Sequence, residues 1–300
     1  MNFLALFIGL GVERLLTHLF HLREFHWLDP LFDRVLRSRR ISQPNLAIAA
    51  VAVVAAIVVV PVGLLEIGLQ EQLAYIPQFI FAVFVLMFCL GPRDLGEEVN
   101  DYCKAIENGD EAETCVIANE LLECMSVLGD QPPDVEKAVY AQANNRIFGV
   151  VFWFVMLGPT GAWLFRVLDL MQRRAVCHAR ENGAADDAAE WPEVVQAILL
   201  LHRLFAWIPA RLLAVGYMFA GSYDGAMAAW KNFHAMRSGA FPGPTDQLLG
   251  AVGCGAAPDH DENSDGVLVR ARIARDLVSR TLWMIWCPVL ALLTLYDLMV

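Results

Sequence analysis

Three hundred residues that are 57% hydrophobic and 18% charged, with a mean hydropathy of +0.47, do not make a water-soluble globule; soluble domains carry roughly 25% charged residues. The formal net charge of −11, with no basic stripe, excludes nucleic acid as a partner. Fibrous and disordered classes fall to the same composition, which leaves an all-α integral membrane protein with the lipid bilayer as its first partner. Seven cysteines without a CxxC pair predict free thiols and a reducing compartment.

Residues 1–92 are read as the N-terminal membrane helices. Phe3–Val12 is uncharged but short, and continues past Glu13-Arg14 towards Phe20. It is either a first span with a buried Glu13 and Arg14 or a helix lying in the interface. No cation precedes it, so a cleavable signal peptide is not expected. Leu46–Leu65 and Leu73–Gly91 are uncharged and each long enough to cross a bilayer. Arg34, Arg37, Arg39, Arg40 and Arg93 flank the pair, whereas Glu66–Gln72 between them has no cation. The positive-inside rule therefore predicts a cytoplasmic position for the arginines and an outside position for Glu66–Gln72.

Residues 93–146 are read as an acidic cytoplasmic helical hairpin. Thirteen Asp and Glu occur between 93 and 137. Helices over about 94–107 and 111–128 are broken at Asn108-Gly109-Asp110, a turn signal, and Asp134 is a candidate cap for the next helix. Residues 147–238 are read as re-entrant or interfacial. Ile147–Phe165 is uncharged but centred on Leu157-Gly158-Pro159-Thr160-Gly161, which predicts an interrupted helix. Residues 194–221 are apolar but punctuated by Arg203, Pro209 and Arg211, and so re-entrant, interfacial or packed in a bundle. Residues 239–280 read as a flexible linker and a short basic helix with Arg270, Arg272, Arg275 and Arg280. Thr281–Tyr296 is a last span within residues 281–300. The expected total is about four transmembrane helices plus the re-entrant or interfacial segments, with both termini outside and most soluble residues cytoplasmic.

Catalytic and metal signatures are sparse. There is no GxxxxGK[ST], no GxGxxG after a strand and no GxSxG. His18, His21 and Glu24 lack a diagnostic metal spacing. Asp261, Asn263, Asp265 and Gly266 match the start of a calcium loop, but Arg272 stands where a bidentate Glu is needed. Neither a metal site nor a cofactor is expected. What remains is polar residues in apolar context: Asn144-Asn145-Arg146, Gly158–Gly161, Arg166, Asp169, His202-Arg203 and Trp207–Arg211. Arginine suits phosphate and carboxylate bidentately, and a broken helix aims amides at anions. The expected ligand site is thus Arg146, Asn145, Gly158, Gly161, Arg211 and Glu13, converging on one cytoplasm-facing cavity for an anion. The alternative is a set of snorkelling arginines and packing turns.

At these residues the chain resembles the AmpE family of Gram-negative inner-membrane proteins associated with β-lactamase regulation. The matching elements are Val12-Glu13-Arg14-Leu15, Asp101-Tyr102, Ala118–Leu122, Asn145-Arg146 before Phe152-Trp153, Gly158 with Gly161, Ala206–Leu212, and Phe233-His234. The Phe-Trp, Gly-x-x-Gly and Ile-Pro-Ala-Arg pieces are also similar to the CbiB/CobD cobalamin-biosynthesis membrane family, which joins an aminopropanol unit to a corrinoid carboxylate with ATP. That family's Asn-Thr-x-Asp-Gly-type run is replaced here by Gln142–Arg146, and no catalytic residue is carried over. The resemblance implies a bacterial inner-membrane signalling protein linked to β-lactamase induction and cell-wall sensing. The partners expected beside the bilayer are an anionic cell-wall-derived or phosphate-bearing small molecule at the polar residues, proteins at the acidic hairpin, and a second copy of the chain as a homo-oligomer. The second reading is a membrane transferase or ligase acting on an anionic substrate. A transporter is the weakest, because no inverted repeat is visible. Whether the chain is an enzyme stays open at this level.

Overall fold

Every described residue with regular structure is helical, as the apolar runs and turn signals require. The computed structural model describes residues 28–36, 43–71, 75–90, 94–122, 134–181, 191–236, 243–258 and 266–292. Glu13, the Phe3–Phe20 segment and the calcium-like run at 259–265 lie outside the described residues. The helices are α1 Asp29–Leu36, α2 Pro44–Glu71, α3 Tyr75–Cys89, α4 Leu95–Asn108, α5 Glu111–Leu122 and α6 Val135–Gln142. A π turn, Ala143–Phe148, leads into α7 Gly149–Glu181. Then follow α8 Glu193–Ala220, α9 Tyr223–Met236, α10 Thr245–Ala256 and α11 Val267–Arg280, with a second π turn at Thr281–Trp286. Three described helical stretches are long and apolar enough to cross a membrane: Pro44–Leu69, Val135–Ala179 and Glu193–Ala220. Ile76–Cys89 is a shorter apolar helix.

The chain forms two compact units, residues 1–92 with 145–205 and residues 93–144 with 206–300. In the first, α2 and α3 both pack on α7. Ala47, Val51, Val54, Ala55 and Val59 form the buried face of α2, while Val53, Ile57, Val60 and Leu64 on the other face are more than half exposed. A helix apolar on both faces suits lipid on one side and protein on the other. The expected interruption of α7 is present. Gly158 takes φ 72° and ψ −162°, a left-handed backbone that a side chain would strain. At Gly161 an added Cβ would lie 2.5 Å from the Leu157 Cβ and 2.6 Å from the Trp153 carbonyl oxygen, so the break leaves no room for a larger residue.

Residues 194–221, expected to be re-entrant, interfacial or packed in a bundle, form the single helix α8, which runs through Pro209. A proline at 209 removes the amide that would bond the Phe205 carbonyl. The Trp153 indole Nε1 donates to that same carbonyl at 3.1 Å. The lost bond is replaced from a neighbouring helix, as membrane prolines require.

In the second unit the expected hairpin turn is fixed by its caps. The Asp94 carboxylate accepts from the Gly96 amide at 3.0 Å, and Gly109 closes α4 with φ 70°. Asp110 accepts from the Glu113 amide at 3.0 Å to open α5. Asp134 precedes α6 but makes no side-chain cap bond; it pairs with Lys137 at 2.5 Å. Both α4 and α6 pack on the basic helix α11, where Arg272 meets Glu107 and Arg275 meets Asn100. The acidic hairpin therefore has this chain's own basic helix against it. Burial pushes the Cys103 thiol above its usual range, against the pull of Arg272 and Arg275, which favours the protonated thiol.

The expected linker over 239–266 contains α10, packed against α6 and α9. Its glycines permit close contact. A Cβ at Gly253 would meet the Tyr140 ring at 2.3 Å, and one at Gly225 would meet the Gly255 carbonyl oxygen at 2.2 Å. Glycine reads as linker in one dimension and as a helix contact in three. The thiol expectation also changes at one position, since Cys177 is disulfide-bonded, whereas Cys89, Cys103, Cys115, Cys254 and Cys287 are free.

Candidate functional site

Buried polar residues are set on three consecutive features of the helical stretch that runs from Val135 to Glu181, of which residues from Asn145 on belong to the first unit. The first is the π turn Ala143–Phe148, which carries Asn144, Asn145 and Arg146. All three are buried, Arg146 at 5% exposure. A π turn inserts an extra residue into a helix and recurs at functional sites. Four buried polar side chains in succession, from Gln142 to Arg146 with Ala143 between, are costly in an apolar helix and need protein or ligand partners.

The second feature is the break. Gly158 ends one helical piece, and the next starts at Pro159, which needs no amide partner there. The Thr160 amide donates to Glu66 of α2 at 3.2 Å and its hydroxyl donates to the same oxygen at 2.5 Å. A new helix N-terminus attracts an anion, and the anion here is the protein's own carboxylate. Trp163, one turn on, donates its indole N–H to the Val58 carbonyl at 3.1 Å, in the turn of α2 that Pro61 loosens. Glu66 and Val58 thus fix the broken helix from one side.

The third feature is a charge cluster. Arg166, Asp169 and Arg173 share one face of α7 by their i,i+3 and i,i+4 spacing. Arg166 Nη1 donates to Asp169 Oδ2 at 2.8 Å, and Arg173 Nη2 lies 2.8 Å from the same oxygen. Both Arg166 and Asp169 are 2% exposed. His202 of α8 is fully buried, with Nε2 3.9 Å from Asp169 Oδ1, too far for a hydrogen bond. Its ring lies 5.7 Å from Phe165, and neither nitrogen has a hydrogen-bond partner among the described residues. Just outside, Arg174 clamps Asp33 of α1 bidentately at 2.9 and 3.0 Å. Two arginines on one buried carboxylate make a rigid, electropositive anchor in apolar surroundings.

Of the expected ligand residues, Asn145, Arg146, Gly158 and Gly161 occur in this unit, the first two on the π turn and the last two at the break. Arg211 belongs to the second unit. There its guanidinium lies 3.9 Å over the Trp207 ring and donates to the Trp207 carbonyl at 3.3 Å. Arg166, Asp169 and His202 were legible only as isolated polar residues; the structure joins them. The role of Arg173 was missed, since it reads as one more cytoplasmic arginine; the four-residue step from Asp169 was the available signal. Among the described residues no three His, Cys, Asp or Glu side chains stand close enough to share a metal ion.

Comparison with known proteins places this geometry in a family. Cobalamin biosynthesis protein CobD of Stutzerimonas stutzeri (strain A1501) is 26% identical over 191 residues, 60% of this chain and 59% of the relative. The chain thus spans about three fifths of the length of that curated relative. No solved structure matches. The family model described as regulatory signalling modulator protein AmpE matches residues 1–300, and with that whole-chain match the chain belongs to the AmpE family.

Proposed function

We propose that this chain is a multi-pass bacterial inner-membrane regulator of β-lactamase induction that responds to an anionic, cell-wall-derived or phosphate-bearing small molecule. The observation that carries the reading is the match of the AmpE family over all 300 residues. The ligand site in this reading is Asn145 and Arg146 on the π turn; Gly158 and Gly161 stay in it only as the expectation from sequence, since the Thr160 donors at the break are already held by Glu66. It is supported by the burial of Arg146 at the place where the helix is distorted. Glu13 and Arg211 are retained as further anion contacts only in the expectation from sequence. The exposed faces of α2 and α3 favour a bilayer setting, with Arg34 cytoplasmic and Glu66 towards the outside. Deleting the gene in an inducible host and restoring it tests the regulation. Loss and recovery of induced β-lactamase is the expected result; unchanged induction contradicts the reading.

A second reading rests on the similarity to the cobalamin-biosynthesis relative: a membrane transferase or ligase working on an anionic substrate in the same apolar, arginine-lined setting. Growth of a corrinoid-assembly mutant lacking that relative, rescued by this chain, would favour it over regulation.

A further inference from the structure

A neutral imidazole carries one N–H donor and one bare nitrogen acceptor, and His202 satisfies neither among the described residues although it is completely buried. Its ring leans on Phe165, and Nε2 stops 3.9 Å from Asp169 Oδ1. Enclosed in this way, the ring offers no entry to a large ligand, but a proton needs no cavity. Protonated, the imidazole has two donors and a positive charge, and roughly 1 Å of movement brings Nε2 into a charge-assisted hydrogen bond with the carboxylate. Asp169 already holds two cations on Oδ2, Arg166 Nη1 and Arg173 Nη2, each at 2.8 Å. The other charge acting on His202 is Arg203, beside it on α8, while the buried Cys89 of α3 interacts with Arg166. A third cation on one buried carboxylate is repelled by the first two, so its arrival requires one of them to leave. The Arg166 side chain is 2% exposed and enclosed, whereas that of Arg173 is 21% exposed and has a path to water.

We infer that His202 and Asp169 form a proton-operated latch in the first unit: a proton taken up from water by His202 closes the imidazolium onto Asp169 and releases Arg173 to the surface. The latch uses none of the π-turn residues and depends on neither functional reading.

Nitrogen NMR of the full chain in detergent, isotope-labelled at histidine rings and arginine guanidinium groups, tests it, with His202→Gln and Arg173→Lys assigning the two signals. As the pH falls from about 8, the His202 ring passes from a neutral tautomer to the imidazolium while near-ultraviolet circular dichroism stays native. Exchange of the Arg173 side-chain N–H groups speeds up at the same midpoint. Arg173→Gln removes the competing cation, so His202 binds its proton about tenfold more tightly, a shift of about one pH unit. Arg173→Lys, which keeps the charge, moves it less than about threefold. Lys231→Gln, the same loss of charge at an exposed position of α9, leaves it unchanged. The wild-type titration decides the matter should Arg173→Gln fail to fold. An imidazole that stays neutral until the chain unfolds, Arg173 exchange that does not follow the His202 midpoint, or equal shifts in Arg173→Gln and Lys231→Gln would overturn the latch.

Discussion

Glu66 and Thr160 are joined by two hydrogen bonds onto one carboxylate oxygen, 2.5 Å from the Thr160 hydroxyl and 3.2 Å from its amide. The chain thereby supplies an anion to the helix terminus that it creates at Gly158. Glu66→Ala leaves both donors in a part-buried site, at a cost of about 1–3 kcal/mol. The pair is coupled, so Glu66→Ala in a Thr160→Ala background costs measurably less. Unfolding in detergent checks this; additive losses would show that the two residues do not depend on each other.

A second expectation concerns Trp153 and Phe205. Trp153→Phe keeps the ring but removes the N–H that reaches the proline-orphaned carbonyl of Phe205, and costs about 1–2 kcal/mol. Adding Pro209→Ala restores the backbone amide, so the double variant regains most of the loss. No recovery in the double variant would assign the loss to ring packing against Phe205 (centroids 5.2 Å apart) instead.

Burial decides the size of a third effect. Asp169→Asn removes the charge that holds Arg166 and Arg173 at 2.8 Å, and breaking such a buried pair costs about 3–5 kcal/mol. Asp101→Asn breaks an equally short pair with Lys104, 3.0 Å long but at least half exposed on both sides, and costs under about 1 kcal/mol. Similar melting temperatures for the two variants would contradict the anchor role of Asp169.

Much of this fold is written in local signals. The Asn108–Asp110 turn, the start of α4 and the break at Gly158 follow from caps, a left-handed glycine and a proline, all of which act within a few residues. The readings that failed depended on distant partners. Pro209 looked like an interruption because nothing near it in sequence announces that Trp153 supplies the missing bond. Residues 245–256 looked like linker because Gly253 and Gly255 are explained only by Tyr140 and Gly225. The charge cluster was half visible: the Arg166, Asp169, Arg173 spacing lies on one helix, but His202 comes from another. The free-thiol expectation missed Cys177 because spacing carries no information on long-range pairing.

The central claim is that the buried polar π turn is where this regulator meets its ligand, and Arg146 tests it most directly. Induced β-lactamase activity is to be measured in cells carrying Arg146→Ala or Arg146→Lys at wild-type membrane abundance. A ligand-binding guanidinium predicts loss of induction in both, because lysine lacks the planar fork. Wild-type induction in both variants would contradict the account.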